Sequence, residues 1–125
     1  MIIHSGNVVL VAEDQVFVRG TAADVLKDYG YQVIEVGSAD DALAVLAERS
    51  REIRVLFTDI TMPGSINGLA LAHTVRRKWP WIGILITSGT ARPPSSELPR
   101  GSRFLAKAYD TAHMAMYVGA LASVS

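Results

Sequence analysis

The stretch Leu56-Phe57-Thr58-Asp59-Ile60-Thr61-Met62-Pro63-Gly64 limits most narrowly what this chain can fold into, because an apolar run delivers a single carboxylate, Asp59, to the point where Pro63-Gly64 must end a strand. A second apolar run, from Val8 to Ala12, stops as abruptly at Glu13 and Asp14. Strands that read as continuous apolar runs are covered on both faces, which is the habit of parallel sheets. If these two lie side by side and parallel, three carboxylates meet at one sheet edge, where they repel unless a cation or a proton intervenes. The pairing predicts a site, and a metal site first.

Composition narrows the metal and the partners. The 125 residues contain no cysteine, which excludes a disulfide framework, a thiolate zinc site and a thiol nucleophile, so the metal expected here is a hard one held by oxygens. Lys plus Arg total 12 and Asp plus Glu total 12, leaving no basic surplus to draw the chain onto nucleic acid. No apolar run approaches the roughly 18 residues of a membrane span, and the start lacks the charged segment of a signal peptide. The expectation is one soluble, cytoplasmic domain with no nucleic-acid or membrane partner.

Strand-like runs alternate with helical patterns from end to end, the pattern of a parallel sheet wound on both faces. Strands are expected at 8–12, 32–36, 54–58, 83–87 and 103–106. Val18, Ala22, Val25 and Leu26 share one face of a first helix, and Ala39, Ala42, Leu43, Leu46 and Ala47 one face of a second. Gly30 stops the first and Ser38 caps the second; a third helix runs over 67–78, and Asp110 caps a last one reaching about residue 122. Pro93, Pro94 and Pro99 break the stretch 91–102, so a fourth helix there is shortened to a turn or two opening at Pro94.

Four strand ends then carry chemistry: Glu13 and Asp14, Asp59, Thr87 with Ser88, and Lys107. Open α/β sheets bind ligands beyond these ends. A carboxylate can attack phosphorus to form an aspartyl phosphate when charge on the phosphoryl oxygens is neutralised. Mg²⁺ on the carboxylates, Lys107 on a second oxygen and the Thr87 hydroxyl on a third would supply that.

In these residues and their order the chain resembles the receiver domains of two-component response regulators, over essentially its whole length. The resemblance implies a flavodoxin-like, doubly wound α/β sandwich with sheet order 2-1-3-4-5. It also implies that Asp59 is the phosphoacceptor, that Glu13, Asp14, Asp59 and the backbone carbonyl of Thr61 hold Mg²⁺, and that Thr87 and Lys107 assist. Phe104, three positions before the lysine, falls on the family's aromatic switch. A histidine kinase or phosphotransfer protein is the implied phosphoryl donor.

The chain departs from the family where Ala108, not proline, follows Lys107. A cis bond before a non-proline residue costs about 3–4 kcal/mol, so a trans Lys107-Ala108 bond and an altered approach of the lysine to Asp59 are expected. No output domain follows before Ser125, so residues 1–125 are expected to be a single stand-alone receiver that signals by binding. The last helix has no Asp, Glu, Lys or Arg after Asp110 and is apolar on two faces. Such a helix is buried on two faces. One of them, Met114, Tyr117, Val118 and Leu121, is expected to meet a partner or a second copy of the chain.

His4, His73 and His113 show no ligand spacing, and Trp79 and Trp81 are expected to cover the sheet's lower edge. Two functional readings follow. The first is a Mg²⁺-dependent phosphorylation switch centred on Asp59. The alternative is a phosphorylation-independent interaction module that keeps the fold while its changed lysine neighbourhood and shortened fourth helix have disabled switching.

Overall fold

Each strand in the computed structural model, which describes residues 7–90 and 92–123, is a short β-branched or leucine-rich run flanked by polar turns. His4 lies outside the described residues. The elements are β1 (Val8–Ala12), α1 (Val16–Asp28), β2 (Gln32–Val36), α2 (Ala39–Arg49), β3 (Ile53–Asp59), α3 (Gly68–Lys78), β4 (Gly83–Ser88), β5 (Arg103–Ala106) and α4 (Thr111–Ala122). The strands pair in parallel in the order β2-β1-β3-β4-β5, as the resemblance implied. Register aligns Ala12 with Thr58 and Asp59 with Thr87, which brings the polar strand ends to one edge.

Alternation along the buried strands sorts side chains to two cores. Leu10, Leu56, Ile84 and Ile86 face Leu46 of α2 and Leu71 and Val75 of α3. Val9, Val11, Val55, Phe57 and Leu85 face Leu26 of α1 and Met114 and Val118 of α4. Ser38 and Asp110 cap their helices as expected, Ser38 Oγ accepting from the Asp41 amide and Asp110 Oδ1 from Ala112, and Asn67, read as the first residue of the third helix, instead caps it, its Oδ1 accepting from Ala70. Gly30, at φ 96°, reverses the chain after α1. Among the described residues no helix is long and apolar enough to cross a membrane.

Between β4 and β5 the expected short helix is a single 3-10 turn, Ser95–Glu97, opening after Pro94. Helix α3 holds this proline-rich segment from the side. His73 Nε2 lies 2.7 Å from the Glu97 carbonyl, and Arg76 Nε donates to the Arg100 carbonyl at 2.8 Å.

The last helix corrects the sequence reading. Met114 and Val118 are fully buried, Leu121 is nearly so and Tyr117 is half-buried, all against the sheet, so this face is core and not a partner surface. The larger side chains win the sheet because they remove more apolar area from water. The small-residue face turns toward α1: Ala115 is buried, and a Cβ on Gly119 would lie 3.9 Å from the Tyr31 hydroxyl. The second apolar face is only partly covered: Ala112 is exposed and Met116 is 67% exposed. Met114→Ala should destabilise the protein by about 2–5 kcal/mol and Met116→Ala by less than about 0.5 kcal/mol in denaturant melts. Equal effects would contradict this orientation.

Candidate functional site

Parallel register delivers Asp59 from β3, Thr87 from β4, the Glu13-Asp14 pair from the end of β1 and Lys107 from the end of β5 to one place. Oxygens of Glu13, Asp14 and Asp59 lie within 4.8 Å of one another. Glu13 and Asp59 are buried and Asp14 is exposed, so the cluster opens to solvent at Asp14. Lys107 Nζ reaches both buried carboxylates, 2.7 Å from Glu13 Oε1 and 2.9 Å from Asp59 Oδ2. The single ammonium offsets part of the repulsion among three carboxylates and leaves room for a further cation.

The backbone around the site is close-packed for local reasons. The Gly68 amide donates to the Ile60 carbonyl at 2.8 Å, and a Cβ on Gly68 would stand 1.6 Å from the Asp59 carbonyl, so only glycine lets α3 begin this close to the end of β3. The loop between them is fastened to α2. Asp40 accepts from the Ser65 amide at 2.9 Å and from the Ser65 hydroxyl at 2.5 Å, and these two bonds hold its carboxyl below the usual carboxylate range. Gly64, at φ 118°, makes the room: a Cβ there would fall 2.3 Å from an Asp40 oxygen. Thr61 sits exposed in this loop, two residues past Asp59.

On the other side, the Glu13 amide donates to the Val36 carbonyl at 3.0 Å, and Arg19 Nη1 donates to the Glu13 carbonyl at 3.0 Å. Arg19 Nε is buried without a hydrogen bond, 3.5 Å from the Glu35 carboxylate. Arg19, Asp40 and Ser65 escaped sequence reasoning. Their partners lie on other elements, and nothing in a linear pattern pairs Asp40 with a serine 25 positions away.

Two expectations change here. The Lys107-Ala108 peptide is cis, not trans. The expectation rested on the intrinsic preference of a lone peptide bond, whereas contacts to Glu13 and Asp59 belong to the folded site, and the lysine's approach to Asp59 is direct. Thr87 donates its hydroxyl to the Leu105 carbonyl at 2.5 Å, so in this state it ties β4 to β5 while lining the same cavity as Asp59. Phe104 is half-buried against the α2–α3 core, with the Arg92 guanidinium 5.5 Å from its ring centre.

Burial pushes the Glu13 carboxyl above the usual carboxylate range, against the lowering effect of its bonds from Lys107 and the Gln15 amide. For Lys107, burial disfavours the ammonium, but the hydrogen bonds to Glu13 and Asp59 outweigh it and raise the pKa. Tyr109, packed edge-on to Phe57 at 5.6 Å, lines the same cavity, and burial with the nearby Glu13 carboxylate pushes its phenol up to about 12. One of the four tyrosines should therefore ionise about two pH units above the ordinary value, and Tyr109→Phe should remove that step from the tyrosinate absorbance titration. Because the unfolded phenol loses its proton first, stability should fall as pH rises from about 10 to about 12. A titration with all tyrosines near pH 10 would contradict the placement of Tyr109.

The donor set suits a hard divalent cation. Three carboxylates from separate residues converge with no nitrogen or sulfur ligand among them, and one stays open to solvent, as Mg²⁺ requires to keep its waters. The carboxylate beside a lysine and a hydroxyl, at the carboxyl end of a parallel sheet, is the arrangement expected of a phosphoryl acceptor.

A family model for the response regulator receiver domain matches residues 9–116. The chain is 33% identical over 82 residues to the nitrogen assimilation regulatory protein NtrX of Azorhizobium caulinodans, covering 65% of this chain and 18% of that protein. It is 31% identical over 97 residues to the sensor kinase CckA of Brucella abortus, covering 77% of this chain and 10% of the kinase. The chain thus spans less than a fifth of either relative. The response regulator receiver protein of Sinorhizobium medicae superposes with a TM-score of 0.89 at 25% identity, covering 96% of this chain and 97% of that one. The receiver domain of NtrX from Brucella abortus superposes with a TM-score of 0.83 at 28% identity, covering 94% and 99% respectively.

Proposed function

Since the chain belongs to the response regulator receiver domains, we propose that it is a phosphorylation switch in which Asp59 accepts a phosphoryl group from a histidine kinase or a histidine phosphotransfer protein. The observation that carries this reading is the convergence of Glu13, Asp14 and Asp59 with Lys107 on two of them. An Asp59 oxygen attacks phosphorus, the bond from phosphorus to the donor nitrogen breaks, and the electron pair returns to the imidazole, which takes up a proton. Glu13, Asp14, Asp59 and the Thr61 carbonyl would hold Mg²⁺, whose charge offsets that on the phosphoryl oxygens.

The remaining roles fall to the chain's own side chains. Lys107 exchanges its contact with Asp59 for a phosphoryl oxygen, remaining on Glu13. Thr87 turns its hydroxyl from the Leu105 carbonyl to another oxygen. Thr87 and Leu105 are register partners in β4 and β5, so that turn frees the strand carrying Phe104, and partner binding changes with it. The alternative, an interaction module indifferent to phosphorylation, assumed a changed lysine neighbourhood and a shortened fourth helix; the segment is indeed a single 3-10 turn, but the 2.9 Å contact between Lys107 and Asp59 favours the switch.

Incubation with acetyl phosphate, with and without Mg²⁺, tests the reading by intact mass. A single phosphoryl adduct that requires Mg²⁺ is expected. No adduct at any donor concentration would leave the interaction-module reading.

A further inference from the structure

Beyond Ile60 the chain carries a charge that the switch does not use. Past Ile60 and apart from Lys107, the chain has six cations, Arg76, Arg77, Lys78, Arg92, Arg100 and Arg103, against two acids, Glu97 and Asp110. Among the described residues none of the six forms an ion pair. Four of them are ordered by other means: Lys78, Arg92 and Arg103 lie over the rings of Trp79, Phe104 and Tyr117, each within 5.7 Å of a ring centre. Arg76 is fixed by three backbone carbonyls, those of Arg100 at 2.8 Å and of Pro80 and Ile82 at 3.0 Å.

Arg76 and Arg100 flank a cleft of about 300 Å³ at the N-terminal end of β4, floored by Pro80, Trp81 and Leu121. Among the described residues no acidic side chain lines it. Arg76 is partly removed from water and repelled by Arg100, and both effects weigh on its charged form. The three carbonyls leave Nη2 of Arg76 for a ligand, the exposed Arg100 guanidinium stands on the same cleft, and neither has a counter-ion among the described residues; an arginine fork such as that of Arg100 binds a carboxylate through paired hydrogen bonds. The apolar floor is of a size for one side chain.

We propose that this cleft docks a short acidic segment of a partner protein, a carboxylate between Arg76 and Arg100 with an adjoining apolar side chain on Trp81 and Leu121. The chain's own charge favours a short peptide over nucleic acid. Residues 1–59 carry ten acids against five bases, a field that repels an extended polyanion but leaves a local carboxylate free to enter. The cleft lies at the far end of the strands from Asp59, so the docking does not require phosphorylation.

The test is an amide and indole NMR titration of the whole chain with three probes: a peptide of alternating glutamate and leucine, the same peptide with glutamine for glutamate, and a short DNA duplex. Saturable shifts of the Gly101 amide and the Trp81 indole with the glutamate peptide are expected, weakened roughly tenfold by Arg100→Ala and by raised salt. Arg100→Glu should reverse the preference toward a lysine-leucine peptide, which shows that a silent variant is still folded. No saturable shift, equal binding of the glutamine peptide, or tighter binding of DNA at the same residues would each overturn the proposal.

Discussion

Asp59→Asn is expected to reduce phosphoryl incorporation from acetyl phosphate to background while the protein stays folded. An amide oxygen is a poor nucleophile and cannot carry the negative charge that forms the acyl phosphate. The substitution also removes one of three carboxylates within 4.8 Å, so Mg²⁺ affinity should fall by about tenfold or more in calorimetric titration. Stability should change little in the metal-free protein, because two effects oppose each other. Lys107 loses its 2.9 Å partner on Asp59 but keeps Glu13 at 2.7 Å, and repulsion among the carboxylates is relieved. A melting temperature within a few degrees of the parent, with no adduct in the mass spectrum, is the expected pair of results. Incorporation persisting in Asp59→Asn would move the acceptor to Glu13 or Asp14 and overturn the proposed mechanism.

The strand ends were legible because parallel pairing turns five separate chain positions into one place. Once Val8–Ala12 and Ile53–Asp59 are neighbours in register, Glu13, Asp14 and Asp59 must meet, and the apolar runs already imply that pairing. The orientation of α4 was not legible. Hydrophobic periodicity marks two apolar faces there, and no charged residue breaks the tie. Side-chain volume does: Met114, Val118 and Leu121 fill the sheet side, while on the other side Ala115 is buried and Gly119 lies beside Tyr31. The second apolar face is only partly covered, with Ala115 buried and Ala112 and Met116 exposed.

The Lys107 neighbourhood failed for a different reason. A preference measured for an isolated peptide bond was set against contacts that exist only after β1, β3 and β5 have come together. The same holds for the loop after Asp59. Its path depends on Asp40 of α2, whose carboxylate occupies the space that Gly64 leaves open. Each residue alone reads as an ordinary turn glycine, turn serine and first-turn acid.

Lys107→Met should have the largest effect on stability of any single change in the site, and the effect should depend on pH and on Mg²⁺. The lysine side chain is 16% exposed, and its partners Glu13 and Asp59 are 5% and 7% exposed. Removing it strands two carboxylates in a poorly hydrated pocket beside the third. Breaking a buried pair costs about 3–5 kcal/mol; because this cluster opens to solvent at Asp14, about 2–3 kcal/mol is expected for the metal-free protein at neutral pH. Burial already holds Glu13 above its ordinary value of 4.5, and without the ammonium its carboxyl moves higher still. Below neutrality the folded variant then binds more protons than its unfolded chain, so its stability rises on acidification. The parent shares that sign to a smaller extent, because its Glu13 is raised less while Lys107 is present, and the Lys107 contribution is fully present below its ordinary value of 10.5 and is lost only as pH rises through the raised folded value. The gap between the two proteins should therefore narrow steadily from pH 7 toward about pH 4.5 in denaturant melts, as Glu13 is protonated. Millimolar Mg²⁺ should close it at neutral pH, stabilising the variant more than the parent, because the ion replaces the missing charge and no longer competes with the ammonium for Glu13 and Asp59. A gap that is independent of pH and of Mg²⁺ would mean that Lys107 stabilises the fold through its aliphatic stem alone, and that the carboxylates do not form one electrostatic unit.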